Sequence, residues 1–211
     1  MSDRFALYIH WPFCIVKCPY CDFNSHTFNH VNHDIWGESL LSELKYFGEK
    51  TTGRKLTSVF FGGGTPSLME PSVIAKILDT LCNYWIVKDN IEVSLEANPT
   101  SVEINKFRSF RIAGINRISI GIQSFKNESL KFLGRQHSVS DAKKSIQIAS
   151  KVFSRYSFDL IYALPNQTKN IWVEELKNAL QLMGEHVSLY QLNIESGTVF
   201  NKNNIPLPDG D

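Results

Sequence analysis

No stretch of this 211-residue chain approaches the roughly 18 consecutive apolar residues that a membrane-spanning helix requires. The opening Met1–His10 lacks the apolar core of a secretory signal, being interrupted by Arg4 and His10. Neither sign of charge dominates, with 22 Lys plus Arg against 21 Asp plus Glu, so nothing advertises a nucleic-acid or anionic-membrane partner. Neither a G-x-x-x-x-G-K-S/T loop nor a G-x-G-x-x-G turn occurs, which removes the usual nucleotide-phosphate cradles. Internal repeats, low-complexity tracts and interdomain linkers are also missing. These absences leave a cytoplasmic protein with a single domain over residues 1–211 and no integral membrane segment as the expectation.

Cysteine is scarce, and its placement is the first positive signal. Of four cysteines, Cys14, Cys18 and Cys21 fall within eight residues, while Cys82 stands far off. Without a secretory signal, clustered cysteines read as metal ligands rather than disulfides. Cys82, in an apolar helical context, reads as a core residue.

The rest of the chain alternates short apolar strands with amphipathic helices. Strands are predicted at Phe5–His10, Thr57–Phe61, Ile91–Glu96, Asn116–Gln123, Ser157–Tyr162 and Val187–Ile194. Helices are predicted over Asp34–Phe47 (Trp36, Leu40, Leu44 and Phe47 on one face), Pro71–Tyr84, Ser101–Ala113, Ser140–Phe153 and Thr168–Met183. Thr168 is the expected N-cap of the last of these, and the tail 201–211 reads as irregular. Such alternation argues for a parallel sheet covered by helices, either doubly wound or a partial barrel. Ile91–Glu96 and Arg117–Gln123 alternate apolar and polar residues, whereas strands covered on both faces are usually apolar throughout. One face of the sheet should therefore line a cavity. Glu96, Gln123 and Asn193 near strand C-termini, with Asp159 inside the fifth strand, are its candidate functional residues.

The spacing C-x3-C-x2-C puts three thiols on one loop after the first strand. A 4Fe–4S cluster normally takes four cysteines, so three leave one iron open to a small ligand. A zinc site of three cysteines plus His10, His26, His30 or His33 fits the triplet as well. At the end of the second predicted strand, Gly62-Gly63-Gly64-Thr65-Pro66 lets backbone approach a ligand closely.

Seven segments in order carry a family resemblance: Tyr8–Cys14 with the triplet, Phe60–Ser67, Glu96–Pro99, Asn116–Phe125, Leu133–Ser138, Asp159–Thr168 and Ser188–Asn193. They resemble radical SAM proteins related to oxygen-independent coproporphyrinogen III oxidase, and the ordered set favours iron–sulfur over zinc. The resemblance implies an α/β fold, a partial (β/α)6 TIM-like barrel of the radical SAM type with its C-terminal region missing. It implies that Cys14, Cys18 and Cys21 ligate a 4Fe–4S cluster whose fourth iron exchangeably binds S-adenosylmethionine. Tyr8 and Tyr20 match positions that contact this cofactor, and Gly63, Gly64 and Thr65 match the motif receiving its amino-acid moiety. Glu96, Gln123, Arg135, Asp159 and Asn193 match polar positions lining the same cavity.

The family divides into decarboxylating enzymes of porphyrin biosynthesis and haem chaperones that pass haem to acceptor proteins. The enzyme branch carries a further cysteine two residues past the triplet and a long arm before it. Phe23 occupies that position here and Cys14 lies near the start, which resembles the chaperone branch, with haem or porphyrin and haem-accepting proteins as implied partners. Relatives continue past the sixth strand, so this chain is expected to assemble a cluster but to handle haem poorly or not at all. His26, His30, His33 and His137 read as exposed histidines without a marked axial-ligand role.

Replacing Cys18 with alanine should abolish the brown visible absorption of anaerobically reconstituted protein, while Cys82→Ala should keep it. Retention of about four iron and four sulfide per chain in Cys18→Ala would refute the ligand set.

Overall fold

The computed structural model describes residues 3–28 and 30–208. In chain order the strands are β1 (Arg4–Trp11), β2 (Phe13–Cys14), β3 (His26–Thr27), β4 (Lys55–Gly63), β5 (Ile86–Ala97), β6 (Arg117–Gln123), β7 (Arg155–Tyr162) and β8 (His186–Gln191). The α-helices are α1 (His33–Lys50), α2 (Pro71–Thr80), α3 (Ser101–Ile112), α4 (Asn127–Phe132), α5 (Val139–Val152), α6 (Lys169–Leu180) and α7 (Val199–Lys202).

Six strands form one all-parallel sheet in the order β1-β4-β5-β6-β7-β8. Spatial order follows chain order without reversal. A doubly wound sheet reverses direction at a switch point, so this sheet is instead a curled half-barrel, as the family resemblance implies.

Local chemistry sets the helix starts. Asn32 accepts from the backbone N–H groups of Asp34 and Ile35 at α1, and Thr168 caps α6 through Ile171 N–H as expected. Ser138 and Asp141 form a reciprocal capping box at α5. The helices then bury the apolar face of the sheet. Val59, Phe61, Leu95, Ile118, Ile120, Phe158 and Leu160 pack with Phe107 and Phe110 of α3 and Ile146 and Ala149 of α5 in one core. Each large side chain so buried contributes about 2 kcal/mol.

The opposite face is polar and cross-linked. The Arg117 guanidinium donates to Ser94 Oγ at 3.2 Å and Ser157 Oγ at 3.0 Å and lies 3.6 Å from Glu92, which also pairs with Arg155 at 2.6 Å. Ser119 reaches Ser157 at 3.0 Å and Asp159 at 3.4 Å. These hydrogen bonds explain why alternate strand positions tolerate polar residues: each is satisfied by the neighbouring strand.

Several expectations need correction. Phe47 is 52 % exposed rather than on the buried face of α1. Gly48 occupies that face instead, because the Tyr84 ring fills the space where a Cβ would stand, 2.5 Å away. Cys82 is exposed. The helix ends at Thr80, and a 3-10 turn over Leu81–Asn83 turns Leu81 inward and Cys82 outward. His137 is buried, not exposed. Helix α7 and the turn after it order the tail to Asn204, residues 205–208 lack regular structure, and 209–211 lie outside the described residues. The pair β2–β3, α4 and α7 were not foreseen; they span only two to six residues each, too short for periodicity to register.

A second apolar cluster forms behind the cysteine loop. Leu133, Ile161, Leu164, Leu192 and Phe200 pack together, with Tyr20 and Phe132 against them. Phe200 N–H also donates to Pro19 O at 3.0 Å. Phe200→Ala should cost about 3 kcal/mol in chemical denaturation and speed alkylation of Cys18 in the metal-free protein. An unchanged alkylation rate would show that this cluster does not brace the loop.

Candidate functional site

The site lies where β1 and β4 end side by side. Their pairing runs through His10↔Gly62 and Trp11↔Gly63. It continues past the strands as Gly64 N–H to Trp11 O at 2.7 Å and Thr65 N–H to Phe13 O at 2.8 Å. The glycine loop is thereby laid against the start of the cysteine loop. Only glycine fits there: a Cβ on Gly64 would stand 2.8 Å from Phe13 O and 3.0 Å from Cys14 Sγ. Gly63, at φ +117°, would meet His10 and Trp11 O at 2.8 Å.

The cysteine loop is closed at its base by the β2–β3 pair, which matches Phe13 with His26 and Cys14 with Thr27. The Lys17 ammonium donates to Phe23 O at 3.1 Å and Ser25 O at 3.2 Å, tying the loop to itself. A turn from Cys21 N–H to Cys18 O at 3.0 Å puts these two cysteines on one bend. Gly134, at φ +68°, packs on Pro19, where a Cβ would come within 2.6 Å.

Each thiol has a polar partner from a different place. Thr65 Oγ1 donates to Cys14 Sγ at 3.4 Å, Arg135 Nη1 donates to Cys18 Sγ at 3.4 Å, and Cys21 Sγ lies 4.0 Å from Ser25 Oγ. All three are free thiols. Burial pushes the Cys14 thiol up, with the Thr65 hydroxyl opposing it. Burial likewise raises the Tyr20 phenol, which sits against Cys18 and Arg135. Among the described residues, no group of three or more His, Cys, Asp or Glu is gathered closely enough to hold a single metal ion. His10 is engaged with Asn24 O at 3.0 Å and His33 stacks on Trp11 at 5.5 Å.

Arg135 is the most connected polar side chain of the site. Besides Cys18, it donates through Nη2 to Asn98 Oδ1 at 2.5 Å and Gly121 O at 2.8 Å. Its buried Nε has no hydrogen-bond partner among the described residues. Three thiols each facing a polar group, a glycine cradle and a spare buried donor suit a bulky, sulfur-ligated, anionic group. A small cavity of about 150 Å³ adjoins them, lined in part by Cys18, Thr65, Asn98, Arg135 and His137. His137 is lowered to about 4, by burial first and the Arg135 charge second, so it is neutral. It bonds Ile122 O at 3.0 Å.

On the polar sheet face, Glu96 Oε2 accepts from Gly63 N–H at 3.2 Å. Tyr8 stacks on Phe60 and lies 3.5 Å from His10 Nδ1. Burial, and secondarily Glu96, raises the Tyr8 phenol. Asp159 is raised by burial, opposed by Ser188 and Ser119. Gln123 ends β6 at φ +70°, a left-handed conformation uncommon for its residue type. Thus Cys14 with Thr65, Cys18 with Arg135 and Tyr20, and Gly63 with Glu96 are brought together. Asn193 lies exposed two residues past β8 and joins none of these contacts. Lys17, Ser25, Asn98 and Gly121 were missed. Asn98 and Gly121 lie inside motifs that carried the resemblance, whereas Lys17 and Ser25 act by loop geometry that spacing does not encode.

Comparisons with known proteins identify the family and the fold. A family model described as Radical SAM superfamily matches residues 8–183. The Danio rerio protein named radical S-adenosyl methionine domain-containing protein 1, mitochondrial, is 42 % identical over 194 residues, covering 92 % of this chain and 44 % of that one. Proteins named heme chaperone HemW are 43 % identical over 215 residues in Haemophilus influenzae and 41 % over 208 in Escherichia coli, each match covering 98 % of this chain and 55 % of the relative. The solved structure of Escherichia coli coproporphyrinogen III oxidase (HemN), titled a radical SAM enzyme, superposes with a TM-score of 0.85 at 25 % identity, over 97 % of this chain and 48 % of that one. The chain spans about half the length of the curated relatives it matches.

Glu96 gives a pH prediction. Burial first, then the Asp159 charge, raises its carboxyl to about 7 against Gly63 N–H. Deprotonation is therefore harder in the folded state, and stability falls as pH rises from about 4.5 to about 7. Glu96→Gln removes this effect and keeps an acceptor for Gly63. Metal-free Glu96→Gln should gain on the order of 2 kcal/mol over the parent at pH 8 relative to pH 4. Parallel melting profiles across that range would contradict the assignment.

Proposed function

This chain belongs to the Radical SAM superfamily, and from that premise we propose that it is a cluster-bearing protein of haem trafficking, akin to the relatives named heme chaperone. The superfamily's fold implies a 4Fe–4S cluster and S-adenosylmethionine. We assign the cluster to Cys14, Cys18 and Cys21, with the fourth iron left for the amino and carboxylate groups of the sulfonium cofactor. A cluster held there would, once reduced, supply one electron for reductive cleavage of the sulfonium.

The chain's own residues hold and orient. Thr65, Arg135 and Ser25 face the three sulfurs and lower the cost of their negative charge. We assign Gly63, Gly64 and Thr65 to the cofactor's amino-acid end, since the strand pairing holds this loop directly against Cys14. We assign Tyr8 and Tyr20 to its flanks and Glu96, Gln123 and Asp159 on the polar sheet face to the rest of it, with Arg135 beside Cys18; Asn193, exposed past β8, is assigned to the same cavity on the resemblance alone. The observation that carries the reading is the free three-thiol loop, each thiol facing a polar group. It occurs in a chain 41–43 % identical to heme chaperones. Phe23 supports the same branch, as it puts no further thiol past the triplet. A cytoplasmic setting, where thiols stay reduced, fits these three ligands.

Likeness to coproporphyrinogen III oxidase in fold favours a second reading, oxidative decarboxylation of porphyrinogen propionates. Anaerobic reconstitution followed by parallel haem titration and coproporphyrinogen turnover separates the two. The chaperone reading expects a saturable but weak Soret change and no decarboxylated product. Decarboxylation would replace it with the enzyme reading, and a cluster-loaded chain without any haem response would end the haem assignment.

A further inference from the structure

We propose that Asn98, in the turn between β5 and α3, is a positioning residue that couples the hydrogen bonds to Cys14 and Cys18 and so sets the reduction potential of the cluster. The proposal rests on the cluster assignment above and goes beyond it, because Asn98 touches no cysteine.

Its side chain stands between the donors to two thiols. Asn98 Nδ2 donates to Thr65 Oγ1 at 3.4 Å, and Thr65 Oγ1 donates to Cys14 Sγ at 3.4 Å. Asn98 Oδ1 accepts from Arg135 Nη2 at 2.5 Å, and Arg135 Nη1 donates to Cys18 Sγ at 3.4 Å. The amide can point only one way. Arginine has donors and no acceptor, so oxygen must face Arg135 and the NH2 group must face Thr65. That NH2 in turn occupies a lone pair of the threonine oxygen, which leaves the hydroxyl proton to point at Cys14. One carboxamide thus fixes the direction of both donors.

The residue is itself held by its backbone. Asn98 N–H donates to Glu103 Oε2 at 2.8 Å, and this buried carboxyl also accepts from Ser67 Oγ and Thr100 Oγ1. Gly121 completes the frame from the other side. Its carbonyl accepts from Arg135, and a Cβ there would come within 3.2 Å of Arg135 Nη2 and 3.6 Å of Asn98 Oδ1. The arrangement therefore requires the side chain of Asn98 and the missing one of Gly121.

The electrostatic consequence follows from charge. Reduction adds an electron to a cluster bounded by thiolates, so donors and a cation aimed at the sulfurs favour the reduced state. Chained hydrogen bonds strengthen one another, and losing the middle link weakens both ends. Asn98→Ala frees the Thr65 hydroxyl to rotate and removes one of the anchors of Arg135. The cluster should become harder to reduce.

The test is a redox titration of the anaerobically reconstituted chain, following visible and paramagnetic signals, beside thermal melting of the metal-free protein. Asn98→Ala is expected to lower the reduced-to-oxidised ratio at fixed mediator potential about tenfold, which is about 59 mV for a one-electron couple. The same change made in a Thr65→Val background should be smaller, since one of its two routes is already cut. Gly121→Ala should shift the potential in the same direction, and it decides the matter if Asn98→Ala fails to load. A residue with a merely structural role would lower the melting temperature and leave the potential alone. Potentials equal to the parent's in the loaded variants would overturn the proposal. A parent chain that takes up no 4Fe–4S cluster would instead overturn the cluster assignment itself.

Discussion

Everything at the site depends on the backbone pairing of β1 with β4 outlasting the strands. Two more hydrogen bonds, to Trp11 O and Phe13 O, carry the ladder into the loops and hold the glycine loop against Cys14. A backbone ladder demands close approach, and the approach demands that no Cβ intrude. Gly63 and Gly64 are therefore less a flexible turn than a rigid abutment. Once that seam is closed, Thr65 stands beside Cys14, and only the direction of its hydroxyl is left for Asn98 to set.

The polar sheet face solves a different problem. A half-barrel must keep its concave side open to a ligand while remaining stable when none is bound. Hydrogen bonds from strand to strand, through Ser94, Arg117, Ser119, Ser157 and Asp159, meet the needs of these groups in the layer level with the start of β6. At the strand ends the partners thin out. Glu96 has one backbone donor and pays for its burial with a carboxyl raised to about 7. The face is thus satisfied where it is structural and left short of partners where a ligand can supply them.

Much of this was legible in the sequence, for identifiable reasons. The strand and helix order came from hydrophobic periodicity, and the cysteine triplet from spacing. The inward turn of Glu96 and Asp159 came from the period-two alternation of parallel strands. What escaped is equally instructive. Cys82 looked like a core residue because helical periodicity assumes 3.6 residues per turn, and the chain tightens to a 3-10 turn at Leu81. Phe47 looked inward because nothing in a pattern reveals that the Tyr84 ring claims the same space from far along the chain. His137 looked exposed because its burial depends on how the loop after α4 folds back on β6. Asn98 lies within the Glu96–Pro99 segment, yet no pattern marks it out there, since its role lies in whom it links rather than in its own chemistry.

The brace formed by Phe200 has a bearing on biogenesis. The cysteine loop is made early in synthesis, yet its rear wall comes from Leu192 and Phe200, some of the last side chains of the described structure to emerge. Contacts so distant along the chain close late in folding. Until α7 docks, the loop that carries the three thiols lacks this rear wall. The loop that carries the three thiols therefore reaches its final setting only once the segment carrying α7 is free to fold back onto Pro19, so the two ends of the described chain complete this site together.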